Sequence, residues 1–187
     1  MIINEKGFWE NPNKEGHAHD SRLAGAILKI LRGYKCDTLV DFGCGTGEYA
    51  RFFRKHGLVV EAYDGNPYTE QLTGGIGQVK DLSQPFDLGK KFKCVMSLEV
   101  GEHIPAEFEQ VFLDNLVKHR IENEVGRMIL SWAIPGQDGD GHVNCRSNDY
   151  IMQQMQKRGY YLDHSATNKL RKAASLWWFK NSLMVFI

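Results

Sequence analysis

Thr38-Leu39-Val40-Asp41-Phe42 runs without a break into Gly43-Cys44-Gly45-Thr46-Gly47, and Glu48 follows at the start of an amphipathic stretch. A short apolar run that ends in Asp and glycine reads as a buried strand. Thr46 to His56, with Tyr49, Ala50, Phe52 and Phe53 as its apolar side and Gly57 behind it, reads as a helix with a glycine stop. The glycines between strand and helix let backbone approach a ligand, because glycine has no side chain and tolerates positive φ. In an open α/β sheet, ligands bind in the crevice at the carboxyl ends of the strands.

The pattern repeats outward from this unit. Upstream, Ser21 to Leu31 has helical spacing, with Gly33 as a stop, and Met1 to His19 is polar and irregular around Phe8, Trp9, His17 and His19. Downstream, strands are predicted at Leu58–Tyr63, Gln78–Lys80, Phe92–Leu98, Arg127–Trp132, Tyr160–Asp163 and Ser182–Ile187. Helices are predicted from Asn66-Pro67, as cap and first position, from Pro105 to about His119, and over Asn148–Lys157. A basic, aromatic linker joins the last two strands. Alternating strands and helices predict an α/β, doubly wound, mostly parallel sheet of seven strands. The 187 residues suit one domain, with residues 1–33 as an N-terminal lid and helix.

Two ligand classes fail at the glycine loop. A nicotinamide fingerprint needs G-x-G-x-x-G, but Glu48 holds its sixth position and Gly47 comes one residue early. The phosphate-loop pattern is absent. Asp41 and Glu48 would repel a pyrophosphate and attract a ligand carrying ammonium and sulfonium charges.

Asp41-Phe42-Gly43-Cys44-Gly45-Thr46-Gly47 resembles the first motif of class I S-adenosylmethionine (SAM)-dependent methyltransferases. Asp64 ends the second strand, where that family places an acid on the ribose hydroxyls. Asp81-Leu82 resembles its adenine-reading pair, and Ser97-Leu98-Glu99-Val100-Gly101-Glu102-His103-Ile104-Pro105 resembles the segment after its fourth strand in small-molecule members. Lys93 departs from the Asp found in many members at that place. The resemblance implies a SAM cofactor, with S-adenosylhomocysteine (SAH) as product. It assigns cofactor contacts to Asp41, Gly43, Cys44, Gly45, Gly47, Tyr49, Asp64, Gly65, Asp81, Leu82, Leu98 and Glu99.

Methyl transfer needs acceptor and donor aligned within ~3–3.5 Å, and an oxygen acceptor also needs a base near neutrality. His103 and His142 are the candidate catalytic residues. Glu102, Gln137, Asp138, Asn144 and Trp132 accompany them, and His17 and His19 lie in the lid. Pro135 to Asn144 is rich enough in glycine to close over a substrate. Glu99, Glu102, His103 and His142 also resemble the metal-binding set of small-RNA terminal 2′-O-methyltransferases and of some quinone O-methyltransferases, a set that works only where the donors converge. The preferred reading assigns no metal. Asn66-Pro67-Tyr68 follows the wrong strand for a DNA amino-methylation motif.

The expected acceptor is a small molecule or saccharide-like metabolite. A metal-assisted RNA 2′-O-methyltransferase and a non-catalytic SAM-binding regulatory subunit are the alternatives. Net charge is zero, with 23 basic against 23 acidic residues, which argues against a grip on duplex DNA. Lys169 to Lys180 mixes bases with Trp177, Trp178 and Phe179; it is read as sheet-edge packing with solvated lysines, the other reading being an acceptor platform. Cys36, Cys44, Cys94 and Cys145 form no C-x-x-C pair, and free thiols suit a reducing compartment. No signal peptide or membrane span is apparent, so the expected location is cytoplasmic.

Overall fold

A computed structural model describes residues 3–10, 12, 16–122 and 126–187. Of the N-terminal stretch read as irregular, residues 1, 2, 11 and 13–15 lie outside the described residues. Among the described residues, six strands form one sheet: β1 Thr38–Phe42, β2 Val59–Asp64, β3 Gly77–Val79, β4 Cys94–Ser97, β5 Arg127–Leu130 and β6 Met184–Phe186. Their order is β3-β2-β1-β4-β5-β6, all parallel except β6. Seven α-helices among the described residues accompany them: α1 Ser21–Gly33, α2 Glu48–Lys55, α3 Thr69–Thr73, α4 Glu109–Lys118, α5 Asn148–Gln156, α6 His164–Ala173 and α7 Trp177–Ser182.

Successive residues of a strand point to opposite faces, and here both faces are apolar. Leu39, Cys94, Met96, Ile129 and Val185 enter one core with Leu23, Ile27 and Leu31 of α1, Phe53 of α2 and Leu170 of α6. Val40, Phe42, Val95, Met128, Leu130 and Phe186 enter the other, with Phe112, Leu113 and Leu116 of α4 and Ile151 and Met155 of α5. Full burial of each such side chain contributes roughly 1.5–3 kcal/mol. Three layers result, as the strand–helix alternation predicts.

Local signals set the helix starts. Asp20 accepts a hydrogen bond from Leu23 N at 2.9 Å to cap α1, and Asp163 does the same for Ala166 N of α6. Asn66 works differently from its predicted role. Its side chain accepts from Tyr68 N at 2.8 Å in a turn, and α3 begins only at Thr69. The Pro105 helix opens with a 3₁₀ turn, Ala106–Phe108, before α4.

Two expectations on the C-terminal side are corrected. The predicted strand at Tyr160–Asp163 shrinks to a single antiparallel bridge, Leu162 to Phe186, so the sheet has six strands rather than seven. The predicted linker folds as α6 and α7. Asp163 takes the N-cap of α6, which turns the chain into a helix just where the strand would have lengthened.

Candidate active site

The chain order reverses between β1 and β4, and the loops after these strands flank the crevice. Gly43 and Gly45 hold φ of +82° and +52°, and a Cβ on Gly43 would stand 2.1 Å from a Val100 methyl. Only glycine fits here without displacing the loop after β4. Gly45 N donates to Asp64 Oδ2 at 2.8 Å, and Asn66 N donates to Oδ1 at 2.9 Å. The acid at the end of β2 thus ties the glycine loop to the loop that follows it.

A cleft of about 440 Å³ opens above these loops. Asp41, Gly43, Cys44, Gly45, Tyr49, Asp64, Gly65, Leu82, Leu98 and Glu99 all line it, as do both catalytic candidates, His103 and His142. Of the assigned cofactor contacts, Gly47 and Asp81 are not on its wall. Gly47 is the N-cap of α2, with φ +74°, and packs against Thr73. Asp81 sits beside Leu82, held by Ser83 Oγ at 2.6 Å and Lys6 Nζ at 2.8 Å. Burial opposes its ionisation, but Lys6 and Ser83 prevail and keep its carboxyl below the ordinary range.

Asp41 is the most perturbed acid of the glycine loop. It is buried, its Oδ2 has no hydrogen-bond partner among the described residues, and burial and then Asp64 push its pKa up to about 8. An unpaired acid buried beside a second one fits a cationic ligand, as SAM is, and the glycines above it leave room that a Cβ would fill.

Described parts of the N-terminal segment cross the cleft. Phe8 packs on Gly65, His17 Nδ1 lies where a Cβ on Gly45 would be, and Trp9 meets His103 edge to face at 5.6 Å. Sequence reasoning named the segment as a lid but missed Lys6 and Phe8 as wall residues. The available signal was an aromatic pair, Phe8-Trp9, inside a polar stretch.

In the loop after β4, Glu99 has φ +54°, a strained value for a non-glycine residue. Its N–H donates to Ser131 Oγ at 2.8 Å, and its carboxylate accepts from Gln137 Nε2 at 2.6 Å and Ser182 Oγ at 3.1 Å. Burial nevertheless raises its pKa. Glu102 is fully buried, and neither carboxylate oxygen meets a partner at hydrogen-bond geometry among the described residues. Burial and then the Glu99 charge push it well above the ordinary carboxylate value; the amides of Glu102 and Ala133 offset only part of this.

His103 Nδ1 lies 3.2 Å from Gly141 O, and His142 Nδ1 lies 2.9 Å from Gln137 O. The two rings meet edge to face at 5.0 Å. Burial, and then His142, lower the His103 pKa to about 4, so the ring is neutral at pH 7 and a weak base. Trp132 and Asn144, named with the acceptor group, serve the frame instead. Trp132 is buried, donates Nε1–H to Asn144 O at 2.6 Å, and fills the space a Cβ on Gly101 would need. His19 packs edge to face on Tyr49 at 4.6 Å. Trp177 is 53% exposed and lines the cleft with Trp178 and Phe179, so the aromatic run does more than pack against the sheet.

The three-layer sheet and the acidic glycine crevice define the class I methyltransferases. A family profile described as a methyltransferase domain matches residues 16–165, and the chain belongs to that family. No match was found among curated proteins. Among solved structures, the sugar N-methyltransferase KedS8 from Streptoalloteichus shares 14% identity at a TM-score of 0.69, covering 100% of this chain and 98% of its own. The amino pentose methyltransferase CalS10 from Micromonospora echinaspora, solved with SAM, shares 15% identity at a TM-score of 0.69, covering 92% of both chains. A SAM-dependent methyltransferase from Clostridium acetobutylicum shares 9% at a TM-score of 0.65, covering 90% of this chain and 91% of its own. Among the described residues, no helix is long and apolar enough to cross a membrane.

Proposed function

We propose that the chain methylates an oxygen of a small, saccharide-like acceptor in the cytoplasm. The observation that carries this reading is one cleft lined both by Asp41, Gly43, Gly45 and Asp64 and by His103, His142 and Trp177. The sugar substrates named for two of the similar folds support the acceptor class. Trp177 offers an exposed apolar face of the kind on which a sugar ring stacks. The four cysteines, three of them buried, form no disulfide among the described residues, which supports a reducing compartment.

SAM supplies a methyl group activated by its sulfonium. Asp41 would hold its cationic end and Asp64 its ribose, and an acceptor hydroxyl oxygen would take the methyl as the carbon–sulfur bond breaks with its electron pair left on sulfur. The hydroxyl proton leaves toward the His103–His142 end. An amine acceptor would need only its free lone pair, whereas a hydroxyl benefits from groups that take or displace a proton. The cluster of Glu102 and two imidazoles at this end therefore favours oxygen.

The test is calorimetric titration with SAM and SAH, followed by a panel of hydroxyl and amino sugars with methyl-labelled SAM. Wild-type binding lost in Asp64→Ala, label on hydroxyl sugars, and weaker acceptor binding without weaker SAH binding in Trp177→Ala are the expected results. Label on amino sugars alone would overturn the oxygen assignment, and label on neither would overturn the acceptor class.

A further inference from the structure

Beside the acceptor end of the cleft lies an arrangement that a proton-transfer role leaves unexplained. One donor atom from each of Glu102, His103 and His142 lies within 4.8 Å of the others. Glu102 is 0% exposed, with both oxygens unpartnered among the described residues, and His142 Nε2 stands 4.0 Å from its Oε1. Beyond the amides of Glu102 and Ala133, nothing positive meets this buried acid beside Glu99, and a bound cation would supply that partner.

The histidines are prepared for the same purpose. A backbone carbonyl can only accept, so the contacts of Gly141 O with His103 Nδ1 and of Gln137 O with His142 Nδ1 make both rings Nδ1–H tautomers. Each Nε2 keeps its lone pair. An imidazole that ligates a metal commonly donates its other N–H to a carbonyl or carboxylate in this way, which fixes tautomer and ring orientation. Both carbonyls belong to one loop after β5. Glu99 is engaged elsewhere, since Gln137 and Ser182 each donate to one of its oxygens. It acts as an anchor for that loop.

We propose that Glu102, His103 and His142 form a three-ligand site for a divalent transition cation beside the acceptor. Two imidazoles and one carboxylate suit Mn²⁺, Fe²⁺, Co²⁺ or Zn²⁺ better than an all-oxygen cation such as Ca²⁺, and three protein ligands leave positions open for an exogenous oxygen. With metal–ligand distances of about 2.0–2.2 Å, neighbouring donors stand roughly 3–3.5 Å apart, so the ligands draw in by about 1 Å on binding. His103 and His142 line the cleft and Glu102 does not, so the open positions face the substrate space. There the cation lowers the pKa of a bound acceptor hydroxyl, whose proton passes to water. That last role rests on the methyltransferase reading; the cation site does not.

The test uses the full chain stripped with chelator and titrated with Mn²⁺, with free Mn²⁺ followed by its paramagnetic resonance signal. SAH binding is measured in parallel by calorimetry. One Mn²⁺ per chain is expected. Affinity should fall in Glu102→Gln and in His142→Ala by more than the roughly 10–100-fold that loss of an outer-shell partner costs. Unchanged SAH affinity in both variants shows an intact fold; were either variant to lose it, Zn²⁺ competition against Mn²⁺ on the wild type reads the same site without substitution. SAH binding with no Mn²⁺ bound, or equal Mn²⁺ affinity in Glu102→Gln, overturns the proposal and leaves the methyltransferase reading standing. Mn²⁺ binding without SAH binding does the reverse.

Discussion

The Lys6 ammonium lies 2.8 Å from Asp81 Oδ2 and pins the N-terminal segment to the residue after β3 and Lys80. Phe8, two residues on, covers Gly65. In the proposed cofactor site this strap would cover the ligand, so the ion pair is expected to act on residence. Lys6→Met is expected to speed SAH dissociation and weaken binding severalfold. Both partners are about a third exposed, so the effect should shrink as salt rises. Calorimetry and stopped-flow fluorescence at low and high ionic strength check this. Binding that tightens in Lys6→Met would show that Lys6 competes for Asp81 rather than closing over the ligand.

Asp41 makes the ligand-free fold sensitive to pH. Its folded pKa of about 8 lies above the ordinary value of 3.8, because burial and Asp64 disfavour the charge. The protonated acid therefore supports the fold fully at low pH, and that support is withdrawn as pH rises between about pH 4 and pH 8. Asp41→Asn is expected to flatten this fall in Tm across the range. SAM binding to the wild type at pH 7 should release protons as its ammonium ionises Asp41, a release absent in Asp41→Asn. Calorimetry in buffers of different ionisation enthalpy measures it; equal heats across buffers would sink the pairing.

Glu109 ties the end of the loop after β5 to the start of α5. It is buried, and its carboxylate accepts from Tyr150 Oη at 2.5 Å, Arg146 Nε at 2.8 Å and Asn144 Nδ2 at 3.0 Å. Burial opposes its charge, but these three donors prevail and lower its pKa. Glu109→Ala is expected to cost about 2–3 kcal/mol, less than the ~3–5 of a fully buried pair because Arg146 is partly exposed. Turnover should fall while SAH affinity stays level, since the loop carries His142 and not the cofactor contacts. Equal losses in both would mean that Glu109 supports the whole fold.

The parallel core was legible because β1, β4 and β5 are buried along almost their whole length and read as short apolar runs. Asp41-Phe42-Gly43 announced the crevice for the same reason. Other features depended on contacts distant in sequence. Lys6 reaches Asp81 across 75 residues, and nothing in a polar stretch announces such a partner. The α6 and α7 helices looked like a linker because their apolar residues, Leu170 and Phe179, pack on a core assembled from α1 and β6. The convergence of Glu102 and His142 depends on two loops that meet through Val143 N and Asn144 N donating to Glu102 O, both at 2.9 Å. Spacing along the chain does not encode that meeting.

The shortening of the predicted Tyr160–Asp163 strand to one bridge has a consequence beyond topology. Tyr161 and Ile187 exchange both backbone hydrogen bonds at 2.9 Å, and Asp163 N donates to Val185 O at 2.8 Å. A few residues thus occupy the outer side of β6, and α6 begins at once beyond them. An open strand is a template on which another chain can pair and aggregate. Here the margin is closed by the smallest amount of ladder that does so, which guards the domain against edge-to-edge self-association while leaving the next residues free to form a helix.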